Sequence, residues 1–281
     1  MAKKRLGQHF LSDPSILQRI VEAARLAPED LVVEIGPGPG KLTRILAGTV
    51  RRVIAIELDE ALCRTLWDEY AQAENVEVVY GDALEYPYED LPEFKVVANI
   101  PYYITTPIIF RLLENKSAPL DMLRKVQGIP PVEKEGIPDF RTNRLKSMTL
   151  TIQKEVAERI VASPGGKDYG VLSIMVQYLG DPELNFVIPK QAFRPVPKVD
   201  SAVIYIRIRK QPAVHVHNEE QFFRIVRTAF SQRRKMLSNS LKNTGENVKK
   251  WLDRAEIEGF RRPETLSIGD FARLANTFEI S

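Results

Sequence analysis

"LVVEIGPGPGKLTRILAGT", residues 31–49, decides the fold. Its opening, 31–36, is an apolar run with one acid, short enough for a strand. Its close, 40–49, reads as a helix. Between them Gly36, Gly38 and Gly40 alternate with prolines. A strand that turns through glycines into a helix lets backbone approach a ligand at the strand's carboxyl end. The same spacing also suits a plain tight strand–helix turn, so the loop alone names no ligand.

The pattern repeats on both sides of this stretch. "PSILQRIVEAARL" (14–26) is an amphipathic helix, with Asp13 as its cap and Pro14 in the first turn. "RVIAIELD" (52–59) is a strand, "EALCRTLWDEYAQ" (60–72) a helix, and "VEVVYGDA" (76–83) and "KVVANI" (95–100) are strands. "TPIIFRLLEN" (106–115) is a helix, and "MTLTIQKEVAERIVA" (148–162) a strand running into a helix. "SAVIYIRIRK" (201–210) alternates and is a strand near the sheet edge. Periodicity leaves "GVLSIMVQYLG" (170–180) open between helix and strand. Apolar strands alternating with helices predict a parallel sheet covered on both faces. From residue 211 the pattern is helical throughout, which sets the expected domain boundary at 210. Residues 116–146 hold four prolines and little periodicity and read as a long surface loop.

At 44% hydrophobic and 27% charged, the 281 residues have the composition of a soluble globular protein. The charge is uneven. Residues 207–281 carry 15 basic and 9 acidic residues, the remainder 25 and 28. A basic C-terminal part points to a polyanion partner such as nucleic acid, though charge alone fits a solvated helical surface equally well. Cys63 is the only cysteine, so no intramolecular disulfide forms, which suits a cytoplasmic location; it reads as a helix-buried thiol. No run is apolar enough to span a membrane, and the N-terminus lacks a secretory pattern. His215 and His217 read as a surface pair rather than a metal site. Trp67 and Trp251 are expected in the core.

Three acids narrow the cofactor. The spacing G-x-G-x-G differs from the dinucleotide G-x-G-x-x-G, whose last glycine position here holds Lys41. Glu34, just before the loop, would repel a pyrophosphate but suits a ligand with a cationic amino-acid end. Glu57 closes the next strand, where a carboxylate accepts both hydroxyls of a ribose. Asp82 follows the third strand and can accept an adenine amine. Together they point to S-adenosylmethionine.

"NIPYYIT" (99–105) ends the fourth strand beside that site and is similar to the [D/N]-P-P-Y loop of enzymes that methylate exocyclic base nitrogens. The adenine N6 lone pair is delocalised into the ring and nucleophilically poor. The Asn99 side-chain oxygen and the Ile100 carbonyl can take both amine hydrogens and aim the lone pair at a methyl. Pro101 fixes the turn, and an aromatic face stacks on the base.

With "LGQHFL" (6–11), "EIGPGPGKLT" (34–43), "IELD" (56–59), "GDAL" (81–84), "FRPVPKVDSAV" (193–203) and "FSQRRKMLSNSL" (230–241), the chain resembles the ribosomal RNA adenine N6,N6-dimethyltransferases, nearest their bacterial small-subunit branch. The resemblance implies a Rossmann-like, seven-stranded class I methyltransferase sheet over 1–210 and a small all-helical RNA-binding domain over 211–281. It implies that Gln8, His9 and Leu11 close over the methionine end of the cofactor, although the family often has Asn at position 9. Glu34, Gly36, Gly38, Glu57, Asp82, Ala83 and Asn99 would bind the cofactor, and Tyr102 and Phe193 would grip the target adenine. Family members run almost directly from the "FRLLE" helix to the "MTLT" strand, so 116–146 is an atypical insertion.

The implied reaction is dimethylation of two adjacent adenosines near the 3′ end of small-subunit rRNA. It is carried out by a monomer on the immature small subunit, without metal or membrane. The alternatives are a large-subunit rRNA adenine methyltransferase and a non-catalytic ribosome-assembly factor. "FRPVPKVDS" would wall the base pocket, with Lys198 on phosphate or simply solvated. "FFRIVRTAFSQRRKMLSNSL" (222–241) places Phe223, Val226, Phe230, Leu237 and Leu241 on one helical face. Arg233, Arg234 and Lys235 are then candidates for RNA phosphates.

Overall fold

The computed structural model describes residues 9–113, 144–244 and 247–279. The expectations for Gln8 and for nearly all of the 116–146 insertion lie outside them. The described residues form two compact units: 9–113, 144–157 and 182–208 make the first, and 158–181 with the residues from 209 onward make the second.

The first unit is built on a seven-stranded sheet. After a short β1 (Phe10–Leu11) come β2 (Leu31–Ile35), β3 (Arg52–Glu57), β4 (Val76–Tyr80), β5 (Phe94–Asn99), β6 (Leu145–Gln153), β7 (Gly180–Ile188), β8 (Phe193–Arg194) and β9 (Ser201–Ile208). The sheet order is β4-β3-β2-β5-β6-β9-β7. The strands β4, β3, β2, β5 and β6 run parallel, and β9 lies antiparallel to β6. The chain moves outward from β2 to β3 to β4, then crosses to place β5 on the other side of β2. That reversal is a topological switch point, and the carboxyl ends of β2 and β5 splay there to leave a crevice.

The sequence explains the inner strands. Val32, Val33, Val53, Ala55, Val96, Val97 and Ala98 are fully buried, because helices cover both faces. These are α1 (Pro14–Ala23), α2 (Lys41–Ala47), α3 (Glu60–Tyr70) and α4 (Thr105–Leu113). Asp13 caps α1 by accepting from Ser15 N–H, and Asp59 caps α3 by accepting from Ala61 and Leu62 N–H. Cys63 lies buried on α3, and burial pushes its thiol up to about 11.

The second unit is helical. It holds the second half of α5 (Lys154–Val161), with α6 (Val171–Leu179), α7 (Glu219–Ser231), α8 (Leu237–Ser240), α9 (Val248–Arg254) and α10 (Ile268–Asn276). Tyr178 packs on Phe222 and Phe223, with ring centroids 5.0 and 5.4 Å apart. The buried Trp251 indole donates to Leu274 O.

Several expectations change. Within 170–180, Val171–Leu179 form helix α6, and Gly180 begins β7. Because 158–181 pack with the C-terminal helices, a single boundary at 210 does not divide the chain. β9 is not alternately exposed: its first six residues are buried, and β7, not β9, is the edge strand on that side. The helix expected through 222–241 ends at Ser231, and a turn at 232–235 separates it from α8. Trp67 is 44% exposed, its indole N–H donating to Val78 O on edge strand β4. His215 and His217 form an exposed edge-to-face pair. No helix among the described residues is long and apolar enough to cross a membrane.

Candidate active site

The pocket opens at the carboxyl ends of β2, β3, β4 and β5. Gly36 and Gly38, Glu57, Gly81 to Ala83 and Asn99 to Tyr103 line it, with His9, Phe10 and Phe193. Gly36 N–H donates to Ile56 O, carrying the β2–β3 ladder into the loop. Gly38 has φ +57°, and a Cβ there would stand 2.7 Å from Phe10 Cε1. Only glycine lets that ring approach the loop so closely.

Glu57 is the anchor of the loop. Its Oε2 accepts from Gly38 N–H at 3.0 Å, and its Oε1 accepts from Leu58 and Asp59 N–H, both at 2.9 Å. Burial pushes its carboxyl above the usual carboxylate range, while those three N–H groups pull the other way. Gly81 N–H donates to Glu57 O, joining the ends of β3 and β4. That joint sets Asp82 next along the rim, exposed, with Oδ1 accepting from Leu84 N–H. Ala83 is buried, and its carbonyl accepts from the Tyr88 hydroxyl at 2.9 Å, which pins this stretch of backbone.

Across the crevice, the Asn99 side-chain NH2 donates to His9 O at 3.1 Å. The amide nitrogen is thereby committed, and the amide oxygen is the atom left to accept. Ile100 N–H donates to Thr151 O at 3.2 Å, and no described hydrogen bond uses the Ile100 carbonyl. Pro101 leads into a 3-10 turn of Tyr102–Ile104. The Tyr102 hydroxyl shares a hydrogen bond with Ser201 Oγ at 2.8 Å, and its ring centroid lies 5.7 Å from that of His9. His9 Nδ1 is 2.7 Å from Pro195 O, so "FRPVP" braces the N-terminal motif. Phe193 pairs with Leu11 in the antiparallel β1–β8 ribbon and is 1% exposed.

Two expected cofactor residues lie elsewhere. Glu34 is 1% exposed and does not line the pocket. It follows Val33 and precedes Ile35 in β2, and Ile35 faces the pocket, so strand alternation turns Glu34 away. Burial pushes its carboxyl up to about 8, opposed by Thr43 and reinforced by the charge on Glu57. Its Oε2 has no hydrogen-bond partner among the described residues. Leu11 packs in the hydrophobic core with Leu17, Ile20 and Phe193; its neighbour Phe10 lines the pocket instead. Tyr103 is 56% exposed at the pocket mouth.

The candidate RNA contacts also separate. Arg233 is tied to the carbonyls of Gly166 and Lys167, so it builds a loop. Arg234 and Lys235 are exposed, as is Lys198 in the first unit.

The donor set fits S-adenosylmethionine. The fixed Glu57 carboxylate at the end of β3 and a second acid, Asp82, just past β4 share one pocket, and Phe10, Ile56 and Leu58 supply apolar walls. The fold and this strand-end site define a Rossmann-like class I methyltransferase that uses S-adenosylmethionine.

Comparison with known proteins gives the family. The chain matches the ribosomal RNA adenine dimethylase family over residues 1–279. It is 42% identical to the ribosomal RNA small subunit methyltransferase A of Bacillus pumilus, covering 99% of this chain and 91% of that protein. Its counterpart in Listeria monocytogenes is also 42% identical, over 98% of this chain and 90% of its own. Among solved structures, a Plasmodium falciparum dimethyladenosine transferase superposes with a TM-score of 0.72 at 27% identity, covering 95% of this chain and 96% of its own. The 23S rRNA methyltransferase ErmE gives 0.68 at 30% identity, with 95% and 98% covered. The chain belongs to the ribosomal RNA adenine dimethylase family.

Proposed function

We propose that this protein transfers methyl groups to N6 of two adjacent adenosines near the 3′ end of small-subunit rRNA during ribosome biogenesis. It would do so as a cytoplasmic monomer acting on the immature small subunit. The carrying observation is the Asn99 amide, locked through its nitrogen to His9 O and adjoined by the Ile100 carbonyl, at the rim of the cofactor pocket. The small-subunit assignment draws on the 42% relatives, which bear that name.

S-adenosylmethionine supplies an electrophilic methyl on sulfur. The chain's own residues do the rest. Glu57 would hold the ribose hydroxyls, and Asp82 and the Ala83 backbone the adenine edge. Tyr102 and Phe193 would grip the target base, extruded from its stack. Asn99 Oδ1 and Ile100 O would accept the two N6 hydrogens. Held so, the N6 lone pair would be aimed at the methyl that the cofactor supplies, the new C–N bond replacing the C–S bond, and the extra proton would leave to water. Positioning supplies the rate, because neither a covalent intermediate nor an acid–base residue is required.

The test is incubation with labelled S-adenosylmethionine and unmethylated small subunits, large subunits or naked rRNA, with the modified nucleoside mapped by mass spectrometry. Dimethyladenosine on small subunits is expected. Its absence there, or its appearance only on large subunits, sinks the reading.

A further inference from the structure

Phe260 is 67% exposed, more than any other large apolar side chain among the described residues. A lone exposed apolar side chain is ordinary. This one has company. Leu237 N–H donates to Arg261 O at 2.8 Å and Ser238 N–H to Gly259 O at 3.0 Å, which lays 236–238 beside 259–261. Gly259 is packed down: a Cβ there would stand 3.3 Å from Leu252 Cδ1 and 3.4 Å from Ser238 Cβ. The loop is held at its base, and Phe260 stands out from it.

The cations on these two segments are of two kinds. Arg261 is internal to the loop, with Nε donating to Thr265 Oγ1 at 3.2 Å and an ion pair to Asp270 at 3.6 Å. Arg234 and Lys235, which lead into the first segment, and Arg262, which follows the second, are exposed, and no described residue pairs with them. Met236, next in the chain after Lys235, is 42% exposed. An exposed aromatic ring on a loop whose two paired segments carry exposed cations matches single-stranded RNA: any base can stack on the ring while phosphates meet the charges. An acidic protein surface would use the cations but leave the ring's face without a partner.

We propose that Phe260 is a stacking platform for an unpaired base of the RNA substrate, with Arg234, Lys235 and Arg262 holding the flanking phosphates. This rests on the RNA substrate proposed above and adds a second contact point, in the helical unit.

The test compares the full-length wild type with Phe260→Ser, Phe260→Trp and Arg262→Gln. Binding is measured to in vitro transcribed small-subunit rRNA, and methyl transfer to unmethylated small subunits. Phe260→Ser should weaken rRNA binding and raise the KM for subunits about tenfold, as for one lost stacked base. Its kcat and its affinity for S-adenosylmethionine should stay at wild-type values. Phe260→Trp should restore binding, and Arg262→Gln should lower the salt dependence of binding by about one phosphate contact. Unchanged rRNA affinity in Phe260→Ser overturns the proposal, as does a Trp variant as weak as Ser. Loss confined to assembled subunits, with naked rRNA unaffected, also overturns it and points to a protein contact. Failure of the wild type to methylate small subunits would refute the substrate reading separately, because the rRNA-binding comparison needs no turnover.

Discussion

The side-chain NH2 of Asn99 donates to the backbone carbonyl of His9, 3.1 Å away, joining the end of a core strand to the N-terminal motif. This bond orients the amide oxygen that, in the proposed reaction, would receive the adenine amine. Asn99→Ala removes that acceptor and should lower kcat by about 100-fold or more, the scale for losing a positioned group beside a reacting atom. Asn99→Asp keeps an oxygen but cannot donate to His9 O when ionised, so it should be nearly as slow. Single-turnover methyl transfer with saturating S-adenosylmethionine reads this directly. A fully active Asp variant would show that the His9 bond does not matter.

Gly38 carries a steric prediction. A methyl at this position meets Phe10 carbons at 2.7 and 2.9 Å, on a backbone with φ +57°. Gly38→Ala should therefore displace the Phe10 ring, disturb the Gly38 N–H bond to Glu57 and weaken S-adenosylmethionine binding. Left-handed strain alone costs about 1 kcal/mol, and the clash adds to it. Adding Phe10→Ala should recover part of the lost thermal stability. No recovery in the double variant would mean that the ring is not the obstacle. Calorimetric binding and thermal melts measure both quantities.

What the sequence revealed of this site follows from local geometry. Gly36, Glu57, Asp82 and Asn99 stand at or just past strand ends, where the whole crevice lies within a residue or two, so their placement needs no knowledge of register. Glu34 and Leu11 sit inside strands, where one step changes the face. Ile35 and Phe10 are the neighbours that face the pocket, and alternation within β1 was the signal available for Phe10. Tyr102 and Tyr103 are adjacent in a 3-10 turn, whose three residues per turn send successive side chains about 120° apart. Two tyrosines in a row therefore cannot share an environment, but sequence does not say which one faces Ser201. β7 escaped notice because an edge strand tolerates Asp181, Pro182, Glu183 and Asn185. Trp67 has core-like helical spacing, yet it covers an edge strand, and only topology shows that β4 is one.

The divergence of the two tyrosines gives the next prediction. The Tyr102 hydroxyl is held by Ser201, and its ring borders His9. Tyr103 stands at the mouth on the other side, where the charges of Asp82 and Glu57 add to burial in raising its hydroxyl. Tyr102→Phe keeps the stacking face and should lose only a few-fold in kcat/KM for RNA. Tyr102→Ala should lose about 10- to 100-fold, the range for one stacked base. Tyr103→Ala should act mainly on the KM for S-adenosylmethionine. Reversal of these two patterns in steady-state kinetics would exchange the sides assigned to the rings.

Glu34 makes stability depend on pH in an unusual direction. Burial raises its carboxyl to about 8 in the folded protein, from 4.5 for an exposed glutamate. The folded state therefore keeps a proton that the unfolded chain releases, so unfolding sheds a proton anywhere between those two values. Stability contributed by the neutral carboxyl is complete below about 4.5 and is lost as pH rises towards 8. The slope within the window is about 1.4 kcal/mol per pH unit for one group. Glu34→Gln is neutral at every pH and should flatten the curve. The variant should lose against wild type at low pH no more than a small packing difference, and should exceed it near pH 8. Urea midpoints taken at several pH values from 5 to 8.5 decide it. Parallel curves for the two proteins would place the Glu34 pKa near that of an ordinary glutamate and would return its carboxylate to the negative charges around the cofactor site.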